Sequence, residues 1–180
     1  MIDNVKRPLW IVLIIAAALL GSWIFACAMP FAALGALAAL HLRPKDAFAL
    51  VFLSWVSNQA IGYLILHYPQ TWDSYGWGVA IGAGAFAGAA VALLTEKALR
   101  AAHLAVRAIA AFLAALAVYE LTLFAATAVL PSSAEAFGFA VVSFIFSVNA
   151  GAFVLLLGLY WLGRRIGLAP ERAPALAAAV

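Results

Sequence analysis

The sequence opens with a long apolar run, from Leu9 to Leu42, that contains no Asp, Glu, Lys or Arg. As one continuous helix this run would be roughly 51 Å long, whereas the hydrocarbon core of a bilayer is about 30 Å thick. Pro30 stands near its middle, where a proline ends or bends a helix. The run therefore predicts two membrane helices, at about Leu9–Ala26 and Pro30–Leu42, and the second is short for a full crossing.

Four further apolar blocks follow, each bounded by charged residues or prolines. The chain is 68% hydrophobic and 9% charged, whereas a soluble domain is roughly 45–50% apolar and about 25% charged. A soluble fold of 180 residues cannot hide that much apolar surface from water. The four predicted spans are Ala47–Tyr68, Gly76–Leu94, Ala108–Leu130 and Phe137–Leu162. The sequence thus predicts an all-α, polytopic membrane protein, a six-transmembrane-helix bundle over residues 1–168 with a flexible cytoplasmic tail at 169–180.

The basic residues predict how this bundle is oriented. All ten Lys and Arg residues precede the first span or follow the second, fourth and sixth. In the opposite loops, 69–75 and 131–136, the charged residues are Asp73 and Glu135, which are both acidic. Because cytoplasmic loops are enriched in Lys and Arg, we expect both termini in the cytoplasm of a multi-pass protein of the inner (plasma) membrane.

The N-terminal stretch allows a second interpretation. Lys6-Arg7, the apolar run and Ala26-Cys27-Ala28 resemble a secretory signal peptide, and Cys27 stands in an imperfect lipobox. The apolar run continues past this site without a break, which favours a retained helix with Cys27 as a buried thiol. A single cysteine also excludes a disulfide scaffold.

Strongly polar residues lie near the centres of three predicted spans. Asn58 and Gln59 are in the third span, Glu120 in the fifth and Asn149 in the sixth. A carboxylate at this depth costs at least about 2.5–3 kcal/mol, so we expect Glu120 to face the bundle interior and hydrogen-bond with Asn58, Gln59 or Asn149. These residues either join helices through hydrogen bonds or, in the case of Glu120, handle a proton. Four serines are expected to return their hydroxyls to the helix backbone: Ser54, Ser57, Ser143 and Ser147.

The segment His67–Trp77 between the third and fourth spans is dense in aromatic and hydrogen-bonding groups. One interpretation is an aromatic belt at the membrane interface. The other is a lid over a ligand, with Trp72 and Tyr75 stacking on it and Gln70 and Asp73 supplying polar contacts. The candidate ligand-binding residues are Trp72, Tyr75, Gln70, Asp73 and Asn149.

Small residues recur at four-residue spacing in two spans. The fourth contains Gly78-x-x-x-Gly82 and Gly84-x-x-x-Gly88, and the first contains Ala17-x-x-x-Gly21. This spacing lets helix backbones approach closely, either within the bundle or against another subunit.

The motifs of common enzymes are missing: the sequence contains no P-loop, no H-E-x-x-H and no G-x-S-x-G. We therefore expect no enzyme, no catalytic residue, no metal and no cofactor. The expected partners are membrane lipids and a small-molecule solute, and no nucleic acid.

Several stretches carry a resemblance to a known family. Met29–Leu37 followed by Arg43-Pro44-Lys45, the Gly76-Trp77-Gly78 start of the fourth span and Asn149-Ala150-Gly151 are similar to features of the substrate-binding S components of energy-coupling-factor (ECF-type) vitamin transporters. The resemblance implies a six-helix subunit that binds a vitamin-like solute from the outer side for uptake. It also implies ATPases and a coupling transmembrane subunit as partners, the latter docked through Ala17 and Gly21.

Two other functions stay open. One is a non-transport structural or assembly subunit of a larger membrane complex. The other is a proton- or ion-coupled carrier or channel that works through Glu120.

Overall fold

A computed structural model of the chain describes residues 9–16, 29–133 and 135–169, and all regular structure in these ranges is helical. This confirms the predicted all-α class. The first helix, α1, is described over residues 9–16. The other five are α2 (Phe31–His41), α3 (Pro44–Leu64), α4 (Trp72–Ala98), α5 (Leu104–Ala126) and α6 (Phe139–Arg165).

Four of these helices, α3 to α6, are long and apolar enough to cross a membrane. By contrast, α2 has 11 residues and is roughly 16 Å long, about half the thickness of a bilayer core. Residues 17–28, which include Cys27 and the Ala17-x-x-x-Gly21 motif, lie outside the described residues, as does the tail from residue 170. The six-span count therefore stays a prediction, while four helices of spanning length are found.

The short helix α2 is the axis of the bundle. It packs against α3, α4, α5 and α6, and every residue from Phe31 to Leu40 is buried. A helix enclosed on all sides must be apolar around its whole circumference, which the sequence of α2 satisfies. At Gly35 an added Cβ would lie 3.2 Å from the Ala89 Cα of α4, so the two backbones run in close contact.

The glycines of α4 allow close packing against the two neighbouring helices, α3 and α5. An added Cβ at Gly82 would lie 2.8 Å from the Trp55 ring of α3, and one at Gly88 would lie 2.9 Å from the Ala115 carbonyl oxygen of α5. Both small-residue motifs of α4 thus pack within the bundle, which confirms the first of the two expected roles.

The helices α3 to α6 alternate in direction, so one end of the bundle gathers the described basic residues; we call it the basic end. There Tyr160 of α6 stacks on His41 of α2 at 3.7 Å between ring centroids and meets Trp10 of α1 edge-on at 6.1 Å. The basic residues at this end are Arg43, Lys45, Lys97, Arg100, Arg107, Arg164 and Arg165. The other end, which holds the α3–α4 and α5–α6 connections, is the loop end.

The start of α4 differs from the prediction. The helix begins at Trp72 with Thr71 as its N-cap residue, four positions before the predicted Gly76. Trp72, Asp73 and Tyr75 therefore lie in the first turn of a helix and not in a connecting loop. The Tyr75 ring packs against Tyr63 of α3 at 5.0 Å, a tertiary contact that favours the earlier start.

Candidate functional site

Among the described residues, the buried hydrophobic core lies in the basic half of the bundle. In α6 the buried residues begin at Val148, and none of residues 139–147 is buried. In α5 the last buried residue is Tyr119. The axial helix α2 also starts at this level, since the Phe31 and Tyr119 rings lie 6.1 Å apart. Within the described ranges no helix continues α2 toward the loop end, and the outer halves of α5 and α6 have no axial helix between them.

The N-terminus of α2 is buried and receives its cap from another helix. Pro30 is the N-cap residue and provides no side-chain hydrogen bond. Asn149 of α6, only 2% exposed, accepts a hydrogen bond from the Ala33 N–H at 3.3 Å through Oδ1. Its Nδ2 donates to the Ile145 carbonyl at 3.0 Å. A buried helix start needs such an acceptor, and Asn149 thereby has partners for both ends of its amide.

Glu120 of α5 lies at the same level as Asn149 but differs from it in hydrogen bonding. The residue is half-buried, but both carboxylate oxygens are shielded and neither has a hydrogen-bond partner among the described residues. The predicted hydrogen bonds to Asn58, Gln59 or Asn149 are therefore wrong. The reason is packing, because the Asn149 amide is engaged by α2 and its own helix, and the Gln59 Oε1 lies against Gly78 of α4.

Ser54 of α3 is a third polar group at this depth. Trp55 of α3 lies opposite Gly82 of α4, and Tyr119 of α5 lies opposite Gly84 of α4. Both helix pairs are antiparallel, so one residue before Trp55 corresponds in depth to one residue after Gly82, and one residue after Tyr119 corresponds to one residue before Gly84. Ser54 and Glu120 therefore both lie at the depth of Ala83. The Ser54 side chain is fully buried and its hydroxyl has no partner in the described part of the chain. We refer to Ser54, Glu120 and Asn149, at the level where α2 begins, as the central polar layer.

The expectation that serine hydroxyls bond to their own helix backbone is confirmed for two serines and wrong for a third. Ser143 and Ser147 return their hydroxyls to the Ala140 and Ser143 carbonyls at 3.1 and 2.8 Å, as predicted. Ser54 does not. Sequence reasoning therefore missed Ser54 as a member of the layer. The one available signal is its position, because Ser54 continues the spacing of Ala47, Leu50 and Val51, which are also buried in α3.

The aromatic candidates lie nearer the loop end. Trp72 is 66% exposed and Tyr75 48% exposed, while Gln70 is exposed and Asp73 is half-buried. At 1.5 Å per residue along α4, Trp72 and Tyr75 stand roughly 12–17 Å above the level of Ala83. The structure thus divides the predicted ligand-binding residues between the rim of the bundle and Asn149 in the central polar layer.

Hydrogen bonds close one side of the loop-end half. Trp55 Nε1 donates to the Gly78 carbonyl at 2.8 Å, which ties α3 to α4. The Trp77 Nε1 donates to the Pro131 carbonyl at 3.0 Å, which ties the start of α4 to the α5–α6 connection. By contrast, α5 packs extensively on α4 but sparsely on α6. The helix α6 is therefore joined to α5 more loosely than α4 is.

At the basic end, a buried ion pair joins Arg107 of α5 to Glu96 of α4. It closes the α4–α5 connection and lies far from the central polar layer. No group of three His, Cys, Asp or Glu side chains within the described ranges could hold a metal ion.

These features define a helical protein with four helices suited to a membrane and, in its described part, a layer of polar side chains at the level where α2 begins. Comparisons with models of protein families, with curated proteins and with solved structures found no match to this chain.

Proposed function

We propose that this protein is the solute-binding subunit of a membrane transporter, which takes up a small vitamin-like solute through the loop end of the bundle. The observation that carries the proposal is the termination of the core at the start of α2. Among the described residues, no axial helix lies between the outer halves of α5 and α6, and the central polar layer lies at the level where α2 begins. Transporters commonly place solute sites near the membrane midplane where a helix is interrupted.

The residues fit two parts of one binding site. The exposed Trp72 and Tyr75, with Gln70 and Asp73 beside them, form the rim that a solute meets first. Asn149 holds the start of α2 and lies at the inner end of the proposed site. Small-molecule sites combine apolar walls with a few polar groups in this way.

The proposed orientation places the basic end in the cytoplasm, because Lys and Arg favour that side, and the solute then enters from outside the cell. The resemblance to ECF-type S components supports a coupling transmembrane subunit and separate ATPases as partners. Such partners would supply energy that a small helical bundle without a P-loop does not generate by that route.

The proposal is tested with a matched pair of tryptophan variants. Trp72 at the rim and Trp161 at the basic end are both largely exposed, at 66% and 57%. We expect Trp72→Ala to lower solute uptake by cells and the small-molecule content of the purified protein, while Trp161→Ala leaves both unchanged at equal folded yield. Equal solute uptake and equal small-molecule content in the two variants would indicate that Trp72 and Tyr75 belong to an interfacial aromatic belt. Stable co-purification with a large non-transport complex would favour an assembly subunit instead.

A second candidate function is a proton-coupled carrier, which the unpartnered carboxylate of Glu120 favours. Ionisable residues within membrane spans commonly mark proton paths. Under this alternative, Glu120→Gln folds normally and abolishes pH-driven flux into liposomes.

A further inference from the structure

We infer that the last turn of α6, at the basic end, binds the phosphate of an anionic phospholipid through the Arg165 guanidinium. The inference requires that the protein lies in a membrane, but it does not depend on the transport of a solute. It is carried by the stacking of Arg165 on an exposed tryptophan, by the way in which the helix ends and by the charges around that end.

Arg165 is held in position by Trp161, which lies one turn earlier on the same face of α6. The Arg165 guanidinium carbon is 3.8 Å from the centre of the Trp161 ring, and both side chains are exposed. Stacking uses the flat face of a guanidinium, whereas its N–H donors point outward in the plane, where they match two oxygens of a phosphate. Within the described ranges no carboxylate pairs with Arg165. The contact therefore positions the group and leaves its hydrogen-bonding edge to an external anion.

The end of α6 is closed by its own backbone and does not need Arg165 as a cap. Gly167 adopts a left-handed conformation with φ 72°, and the Leu168 N–H donates to the Gly163 carbonyl at 2.8 Å. Backbone donors thus satisfy a carbonyl of the kind that basic side chains cover at other helix ends. The capping of the helix therefore does not account for the arginine at this position.

The length of α6 places this turn at the membrane surface. Its 27 residues span roughly 40 Å, more than the hydrocarbon core of about 30 Å. A tryptophan near the end of such a helix is typical of the membrane interface. Leu162 and Ile166, which follow Trp161 and Arg165 directly in the chain, are exposed and provide apolar contact beside the cation. A phospholipid likewise presents its phosphate next to its acyl chains.

The charges of the basic end favour an anionic phospholipid over a zwitterionic one. The described residues at this end include seven Lys and Arg residues and two acidic ones, Asp46 and Glu96. Glu96 is already bonded to Arg107. Such a surface repels the ammonium group of a zwitterionic headgroup and attracts the net negative charge of phosphatidylglycerol.

The test is native mass spectrometry of the full chain in a neutral detergent, titrated with phosphatidylglycerol or with phosphatidylcholine of identical acyl chains. We expect the wild type to bind phosphatidylglycerol more tightly than phosphatidylcholine. Arg165→Gln should lower the affinity for phosphatidylglycerol roughly tenfold, because a charge-assisted contact is lost. Because the full chain is used, the lipid competes with any group of residues 170–180 for Arg165. Equal affinities of the wild type for the two lipids overturn the inference.

Two further variants separate a specific site from a general effect of charge. Arg100→Gln is the matched control, because Arg100 is exposed at the same end and no described ring is stacked on it. Its loss should change the affinity less than about threefold, since exposed charges at a distance are screened. Arg165→Lys keeps the charge but not the planar group, so its affinity should lie between those of the wild type and Arg165→Gln. Thermal unfolding establishes that the variants are folded, and equal losses in Arg165→Gln and Arg100→Gln overturn the site.

A soluble phosphate distinguishes a lipid site from a site for any phosphate. Glycerol phosphate at the same concentration as the lipid should not displace phosphatidylglycerol, because it makes no apolar contact with Leu162 and Ile166. Displacement at equal concentration overturns the lipid assignment. The site lies at the opposite end of the bundle from the proposed solute entrance, so neither result decides the transporter proposal.

Discussion

At the scale of single residues, Asn149 and Glu120 show what a sequence position can and cannot predict. Both stand near the centre of a span, and that depth is evident from the sequence. Their partners are not, because they depend on which helices meet. Asn149 faces the start of α2 and is fully engaged, whereas Glu120 has no partner in the described ranges. A proline at the N-cap of a buried helix does signal that a distant acceptor is needed, but not which residue supplies it.

The cap at the start of α2 gives a stability prediction. Asn149→Ala should lower the free energy of unfolding by about 1 kcal/mol, the usual cost of a lost N-cap acceptor. The matched control is Asn58→Ala, a half-buried position on α3, which should change stability by less than about 0.5 kcal/mol. Unfolding in detergent, followed by intrinsic fluorescence, measures both. Equal effects of the two variants would show that Asn149 is not the cap.

Glu120 gives a prediction that tests structural support. A carboxylate that joined helices by hydrogen bonds would make Glu120→Leu less stable by about 1–2 kcal/mol. Since the oxygens have no partners in the described part of the chain, we expect Glu120→Leu to be at least as stable as the wild type. Thermal unfolding of the purified protein is the measurement. A variant that is less stable than the wild type would identify Glu120 as structural support.

At the scale of helices, the sequence predicts the elements well and their surroundings poorly. Pro30 correctly predicts the start of the second helix, and the charges at Arg43 and Lys45 predict its end. The position of α2 on the axis is not predictable from its own residues, because an apolar helix can face protein or lipid. The small-residue motifs of α4 predict close packing, and the structure identifies α3 and α5 as the neighbours.

Two glycine substitutions test this packing. At Gly88 an added methyl group meets the Ala115 carbonyl at 2.9 Å, whereas at Gly158 of α6 it meets open space. Gly88→Ala should destabilise by about 1–3 kcal/mol through overpacking. Gly158→Ala should be neutral or stabilise by up to about 1 kcal/mol, because alanine favours a helix over glycine. Similar thermal unfolding of both variants would contradict the close approach of α4 and α5.

At the scale of the whole molecule, the described buried hydrophobic residues are concentrated in the basic half of the bundle. Hydrophobicity and charge predict the membrane class and the gathering of basic residues at one end. They do not predict that the core stops halfway, because this follows from the length of α2 and from contacts between distant helices. The candidate site was therefore only half predictable: the aromatic rim is evident in the sequence, but the burial of Ser54 in the central polar layer is not.

The proposed orientation is tested by cysteine accessibility. In a Cys27→Ala background, Ala101→Cys places a thiol in the exposed α4–α5 connection, and Ser132→Cys places one in the exposed α5–α6 connection. A membrane-impermeant maleimide should label Ser132→Cys in intact cells and Ala101→Cys only after permeabilisation, because basic connections stay in the cytoplasm. The reverse labelling pattern would show that the bundle has the opposite orientation, with the proposed entrance facing the cytoplasm.

The central claim is that the loop-end half holds a small solute. Native mass spectrometry of protein released gently from its own membrane tests this claim most directly. We predict that a fraction of the molecules carries one additional small, non-lipid mass that dissociates on activation and is lost in Trp72→Ala. Repeated preparations in which the folded protein carries only lipid would contradict a solute-binding role.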